Sequence, residues 1–152
     1  MKVSEVMTAP PVCVAPHDSL TEATRMMTRS AVGSLLVVED GALRGIVTDR
    51  DLAVRGLGGG LDREARVDTV MSAPVVSVDV DDDLQVAYRT FRRTAVRRLP
   101  VLHEGEVLGV LTIDDLLLDV FRRLADLLGP VAWSVLQEPP GPSPAGGASY
   151  EP

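Results

Sequence analysis

Cysteine, aromatics, histidine and lysine are all scarce in this chain of 152 residues. Cys13 is the single cysteine, which excludes an intramolecular disulfide and any multi-thiolate metal centre. Lying between Val12 and Val14, it reads as a small core or cleft residue. Aromatics make up 3% of the chain against 45% apolar residues, so the core must be aliphatic. Only His17 and His103 are present, one in a turn before a helix and one at a hairpin edge. Surface positions are expected for both, and no metal-ligand spacing accompanies them. Two histidines and no nucleophile–base pair or P-loop leave little material for catalysis, so no enzymatic activity is expected. Long apolar runs are missing too: Leu35–Val38 is among the longest, far short of the roughly 20 residues that span a bilayer. Met1–Glu5 has no apolar leader character, and a cytoplasmic protein without membrane association is expected. Lys2 is the single lysine, the remaining basic charge being arginine. The formal net charge of −7 disfavours phosphate backbones, so no nucleic-acid partner is expected.

What is present is a duplication. Residues 6–52 return without a gap 64 positions later as 70–116, with 20 identities in 47 aligned positions. Val6-Met7-Thr8-Ala9-Pro10 becomes Val70-Met71-Ser72-Ala73-Pro74, and Gly45-Ile46-Val47-Thr48 becomes Gly109-Val110-Leu111-Thr112. A half of this size rarely closes its own core, and its copy is the natural partner. Two such halves facing each other across a pseudo-dyad also create two related clefts.

Patterning predicts the same elements in each copy. Val12–Val14 and Val76–Val78 read as short strands. Leu20, Ala23 and Met27 form a helical stripe after a cap at Asp18 or Ser19, and Leu84, Ala87 and Phe91 repeat it. Two strand pairs follow, turning at Asp40-Gly41 and at Glu104-Gly105. Helices then begin near Asp49 and Ile113, the second continuing through Leu116, Leu117, Val120, Phe121 and Leu124. Each half is thus strand–helix–strand–strand–helix, an α+β arrangement with the halves joined through Gly58-Gly59-Gly60. Domain limits are expected at 3–58 and 67–125, around a linker at 59–66. A C-terminal extension at 126–137 contains Pro130 and Trp133 and reads as a short helix or an interface segment. The Pro/Gly-rich residues 138–152 are expected to be a disordered tail.

The repeated feature with chemical content is Thr-x-x-Asp after the last strand, at Thr48/Asp51 and Thr112/Asp115. A capping box explains it structurally. A ligand site explains it equally: a helix start offers N–H groups and a hydroxyl to phosphate, and the carboxylate can accept from vicinal ribose hydroxyls. The apolar segments Val12–Val14 and Val76–Val78 could then sandwich a base.

These residues, together with Val-Met-x-Ala-Pro at both starts and Leu99-Pro100-Val101, make the chain resemble a tandem pair of CBS (cystathionine-β-synthase-type) domains, or Bateman module, over about residues 3–125. The resemblance implies two domains related by a pseudo-two-fold axis and an adenosine compound (AMP, ADP, ATP, NAD or S-adenosylmethionine) in the clefts between them. Asp51 and Asp115 would hold ribose, and Thr48 and Thr112 would contact phosphate. It further implies a homodimer, an unidentified effector protein, and no required cofactor beyond a nucleotide as regulatory ligand. Arg97-Arg98 stand where the family often grips phosphate, while the first copy has Gly33-Ser34. Two unequal sites are therefore expected, with the Thr-x-x-Asp served by the arginines left open. The competing expectation is a protein-interaction module with vestigial clefts.

Overall fold

The two repeats fold alike. In the first, a 3-10 turn (Val3–Glu5) precedes β1 (Cys13–Val14), α1 (Leu20–Ser30), β2 (Ser34–Glu39), β3 (Ala42–Thr48) and α2 (Asp49–Asp51). The chain then continues from α2 as a π-helix over Leu52–Leu57. In the second, a 3-10 turn (Val67–Thr69) precedes β4 (Val78–Asp79), α3 (Leu84–Thr94), β5 (Arg98–His103), β6 (Glu106–Thr112) and α4 (Ile113–Gln137). The structure, a computed structural model, describes residues 1–137. The tail expected at 138–152 and the packing of the Trp133 side chain lie outside the described residues.

Local chemistry accounts for these boundaries. The Ser19 hydroxyl caps α1 by accepting from the Glu22 N–H, while Asp18 accepts from the Ala15 N–H and holds the preceding turn. Asp83 caps α3 by accepting from the Gln85 N–H. Both helices end on a left-handed alanine, Ala31 and Ala95. At the hairpin tips Asp40 and Gly41 have φ of 51° and 78°, and Glu104 and Gly105 have 49° and 85°. Two consecutive positive φ values define the tight turn that matches strand twist. Strands β1 and β4 are shorter than the sequence pattern suggests and begin later. The segment from Leu127 to Leu136 is no separate helix either. Pro130 lies inside α4, which runs on to Gln137.

The six strands join in the order β1-β2-β3-β6-β5-β4. That order is unchanged when the repeats are exchanged, which places the pseudo-two-fold axis between β3 and β6, where Ala42 pairs with Glu106. The fold is α+β, a pair of like domains sharing one sheet. Two structural units divide after Leu116, both repeat sheets lying within Met1–Leu116.

Each core is completed by the other repeat's leading segment. Val67 and Val70 are buried with Val14, Leu20, Ala23, Met27, Leu35, Val37 and Val47. Reciprocally, Val3 is buried with Val78, Leu84, Ala87, Phe91, Leu99, Val101, Leu111 and Leu116. The exchange is carried by the backbone as well: Val67 N–H donates to Asp18 C=O, and Val3 N–H to Asp82 C=O. Gly45 and Gly109 permit it. A Cβ on Gly109 would lie 2.7 Å from the Thr8 carbonyl oxygen, and one on Gly45 would lie 2.8 Å from that of Ser72. These two glycines are required by close backbone approach rather than by unusual φ.

Candidate functional site

Both Thr-x-x-Asp motifs are closed capping boxes. In the second copy Asp115 Oδ2 accepts from the Thr112 N–H at 2.8 Å and from the Thr112 hydroxyl at 2.7 Å, while the Asp115 N–H donates back to Thr112 Oγ1 at 3.0 Å. The first copy matches, with 2.9, 3.0 and 3.1 Å for the same three bonds between Thr48 and Asp51. A hydroxyl has one proton, and here it goes to the carboxylate. Threonine in this arrangement positions the aspartate and is not free to donate to phosphate. The capping reading holds in both copies, and the box uses Oδ2 while leaving Oδ1 outside it. Asp115 Oδ1 has no protein partner among the described residues, whereas Asp51 Oδ1 faces Arg55 Nε at 3.8 Å.

Asp115 and Thr112 open onto a cleft of about 310 Å³ walled on its far side by the first repeat. Thr8, Pro10, Pro11 and Val12 contribute from the leading segment, and Val32, Gly33, Ser34 and Leu36 from around the start of β2. Arg98 completes the polar end. The sheet register explains its presence, because Arg98 on β5 pairs directly with Thr112 on β6, and opposed residues bring their side chains close. The Arg98 side chain makes no hydrogen bond or ion pair among the described residues. The basic position left open between two motifs thus stands beside Thr112 and Asp115. A cation, an open carboxylate oxygen and an apolar wall share one cavity, whose size falls at the lower end of small-molecule sites.

Other expected site residues fall elsewhere. Val14 and Val78 are 5% and 4% exposed and belong to the two cores, so neither is available to sandwich a base. Val76 is exposed, and neither it nor Arg97, Thr48 and Asp51 lines the Asp115 cleft. Arg97 instead uses its backbone, its carbonyl accepting from the Ile113 N–H at the start of α4. Pro10, Pro11 and the Val32–Ser34 stretch escaped sequence reasoning, because a wall drawn from the opposite repeat leaves no local pattern. Burial raises the pKa of the Cys13 thiol, which lies 3.7 Å from the Pro11 carbonyl. His103 converges with Asp79 and Asp81 at the surface, their ligand atoms within 4.8 Å of one another. The Lys2 ammonium already sits 2.6 Å from Asp81, so a cation occupies that corner.

No helix among the described residues is long and apolar enough to cross a membrane. The CBS-domain family model matches residues 3–57 and 67–122, and the chain belongs to that family as a tandem pair. The CBS domain-containing protein YhcV of Bacillus subtilis is 34% identical over 114 residues, covering 75% of this chain and 81% of that relative. Two solved structures share the fold at lower identity. The CBS domain pair of protein MJ0100, in complex with 5-methylthioadenosine and S-adenosyl-L-methionine, superposes with a TM-score of 0.72 at 20% identity, covering 81% of this chain and 98% of that one. The CBS domain protein PAE2072 of Pyrobaculum aerophilum, complexed with AMP, gives 0.67 at 24%, covering 76% and 89%.

Proposed function

We propose that the chain is a non-catalytic regulatory module that binds an adenosine-containing ligand in the Asp115 cleft and relays its occupancy to an effector protein. The carrying observation is the meeting of unpaired Arg98 with the open Oδ1 of Asp115 in one cavity with an apolar wall. Asp115 accepts from the ribose hydroxyls, Thr112 holds that carboxylate in place, and the guanidinium of Arg98 takes phosphate oxygens bidentately. Pro11, Val12 and Leu36 receive the base. The AMP and S-adenosylmethionine complexes of structural relatives support this ligand class. AMP, ADP, ATP and NAD use all three features, whereas S-adenosylmethionine has no phosphate for Arg98. Calorimetry with these five ligands tests the reading. At least one binds, and Asp115→Asn weakens it tenfold or more. Binding by none of them refutes it and leaves the protein-interaction alternative.

The second structural unit supports self-association. Along α4, Leu117, Phe121, Leu124, Leu127 and Leu128 are exposed apolar side chains, more than isolated surface positions account for. A homodimer formed through this helix covers them. Native mass spectrometry reads the dimer and any retained nucleotide together, and a monomer at micromolar concentration refutes the assignment.

A further inference from the structure

Among the differences between the two repeats, one besides Gly33-Ser34 against Arg97-Arg98 lies against a motif. Arg55 lies four residues after Asp51, where the second copy has Asp119. It lies in the π-helical stretch Leu52–Leu57, a rare winding that frequently accompanies functional sites. Its Nε is 3.8 Å from Asp51 Oδ1, the oxygen that the capping box leaves over. Its Nη1 donates to the carbonyls of Val70 and Met71 at 3.2 and 3.4 Å and to Ser72 Oγ at 3.5 Å. Ser72 is the repeat counterpart of Thr8, and Thr8 and Asp115 stand on two walls of the cleft already described. Arg55 therefore spans the corresponding two walls around Asp51.

We propose that Arg55 is a built-in occupant of the Asp51 cleft, which restricts the chain to one adenosine ligand, at Asp115. The inference rests on reading the clefts as adenosine sites. An arginine fork offers five fixed donors, so one guanidinium can donate to the facing carbonyls while its charge pairs with the free carboxylate oxygen. A ribose reaching Asp51 must displace it. In the second copy Asp119 instead pairs with Arg123 at 2.9 Å within α4, and Asp115 Oδ1 keeps no protein partner among the described residues.

Calorimetry with AMP on the full chain tests the stoichiometry. The native chain binds one AMP, Arg55→Ala binds two, and Arg55→Ala/Asp115→Asn keeps one. Two AMP per native chain, or a single unchanged or weakened site in Arg55→Ala, overturns the proposal. A ligand-free measurement separates its failure from failure of the adenosine reading. In nitrogen-15 NMR the Arg55 Nε–H resonance is expected to exchange with solvent more slowly than that of Arg92 at the exposed end of α3, and to shift on Asp51→Asn. Absence of both effects overturns the occupancy of the cleft whether or not AMP binds.

Discussion

Val67→Ala probes the exchange of leading segments between the repeats. Val67 is fully buried, yet it belongs by sequence to the second repeat and by packing to the core of the first. The substitution deletes two methyl-sized groups at about 0.8 kcal/mol each, and the unfilled space brings the loss to roughly 2–3 kcal/mol. Urea denaturation followed by far-ultraviolet circular dichroism reads this as a lower midpoint at unchanged slope. The more discriminating readout is amide hydrogen exchange. Each core contains a segment of the other repeat, so the two are expected to open as one cooperative unit. Protection should then fall by a similar free energy in α1 and in α3, although α3 packs in the other core. Val3→Ala, the equivalent change in the reverse direction, should reproduce the pattern. A loss under about 0.5 kcal/mol, the size of an ordinary surface change, or loss of protection confined to α1, would refute the reasoning.

Gly109→Ala forces a Cβ to within 2.7 Å of the Thr8 carbonyl oxygen and breaks the reciprocal Thr8–Val110 hydrogen bonds of 2.9 and 3.0 Å. At about 1 kcal/mol per bond plus strain, roughly 2–3 kcal/mol is expected, and AMP affinity should fall with it because Thr8 and Val110 both line the cleft; unchanged calorimetric affinity would break that link. The carboxyls of Asp68 and Asp81 are held below the usual carboxylate value, chiefly by hydrogen bonds from Arg66 and Lys2. Groups with lowered folded pKa values stabilise while ionised. Their contribution is present above the unfolded value of about 3.9 and is lost as pH falls through the lower folded ones. Lys2 is raised mainly by its hydrogen bond to Asp81, so its contribution is complete below the unfolded value near 10.4 and is lost only above it. Acid denaturation monitored by circular dichroism should be less steep in Asp81→Asn, and an identical acid limb would count against the pairing.

Most of the local plan was legible in residues. The 64-residue offset predicts like elements, and the stripes Leu20-Ala23-Met27 and Leu84-Ala87-Phe91 are buried faces of α1 and α3. Asp40-Gly41 and Glu104-Gly105 make the turns their φ requirements demand. Thr48/Asp51 and Thr112/Asp115 were identified, with both a capping and a ligand reading, but which carboxylate oxygen the cap uses was beyond sequence. The carboxylate has two oxygens, and only coordinates tell that the cap spends Oδ2.

Short-range physics is written locally, in turn residues, caps and hydrophobic period, and these the sequence determined by itself. Tertiary structure decided which segment entered which core. Val3 and Val67 are apolar wherever they pack, and nothing near them in the chain says that the other repeat receives them. It decided likewise that Arg98, through the β5–β6 register, stands beside Thr112 and lines one cleft with Asp115. It placed Arg55 across Asp51, where a helix winding and a backbone from fifteen residues later meet. Cleft walls drawn from both repeats are long-range contacts, and a repeat makes the partners look equivalent until their side chains are placed.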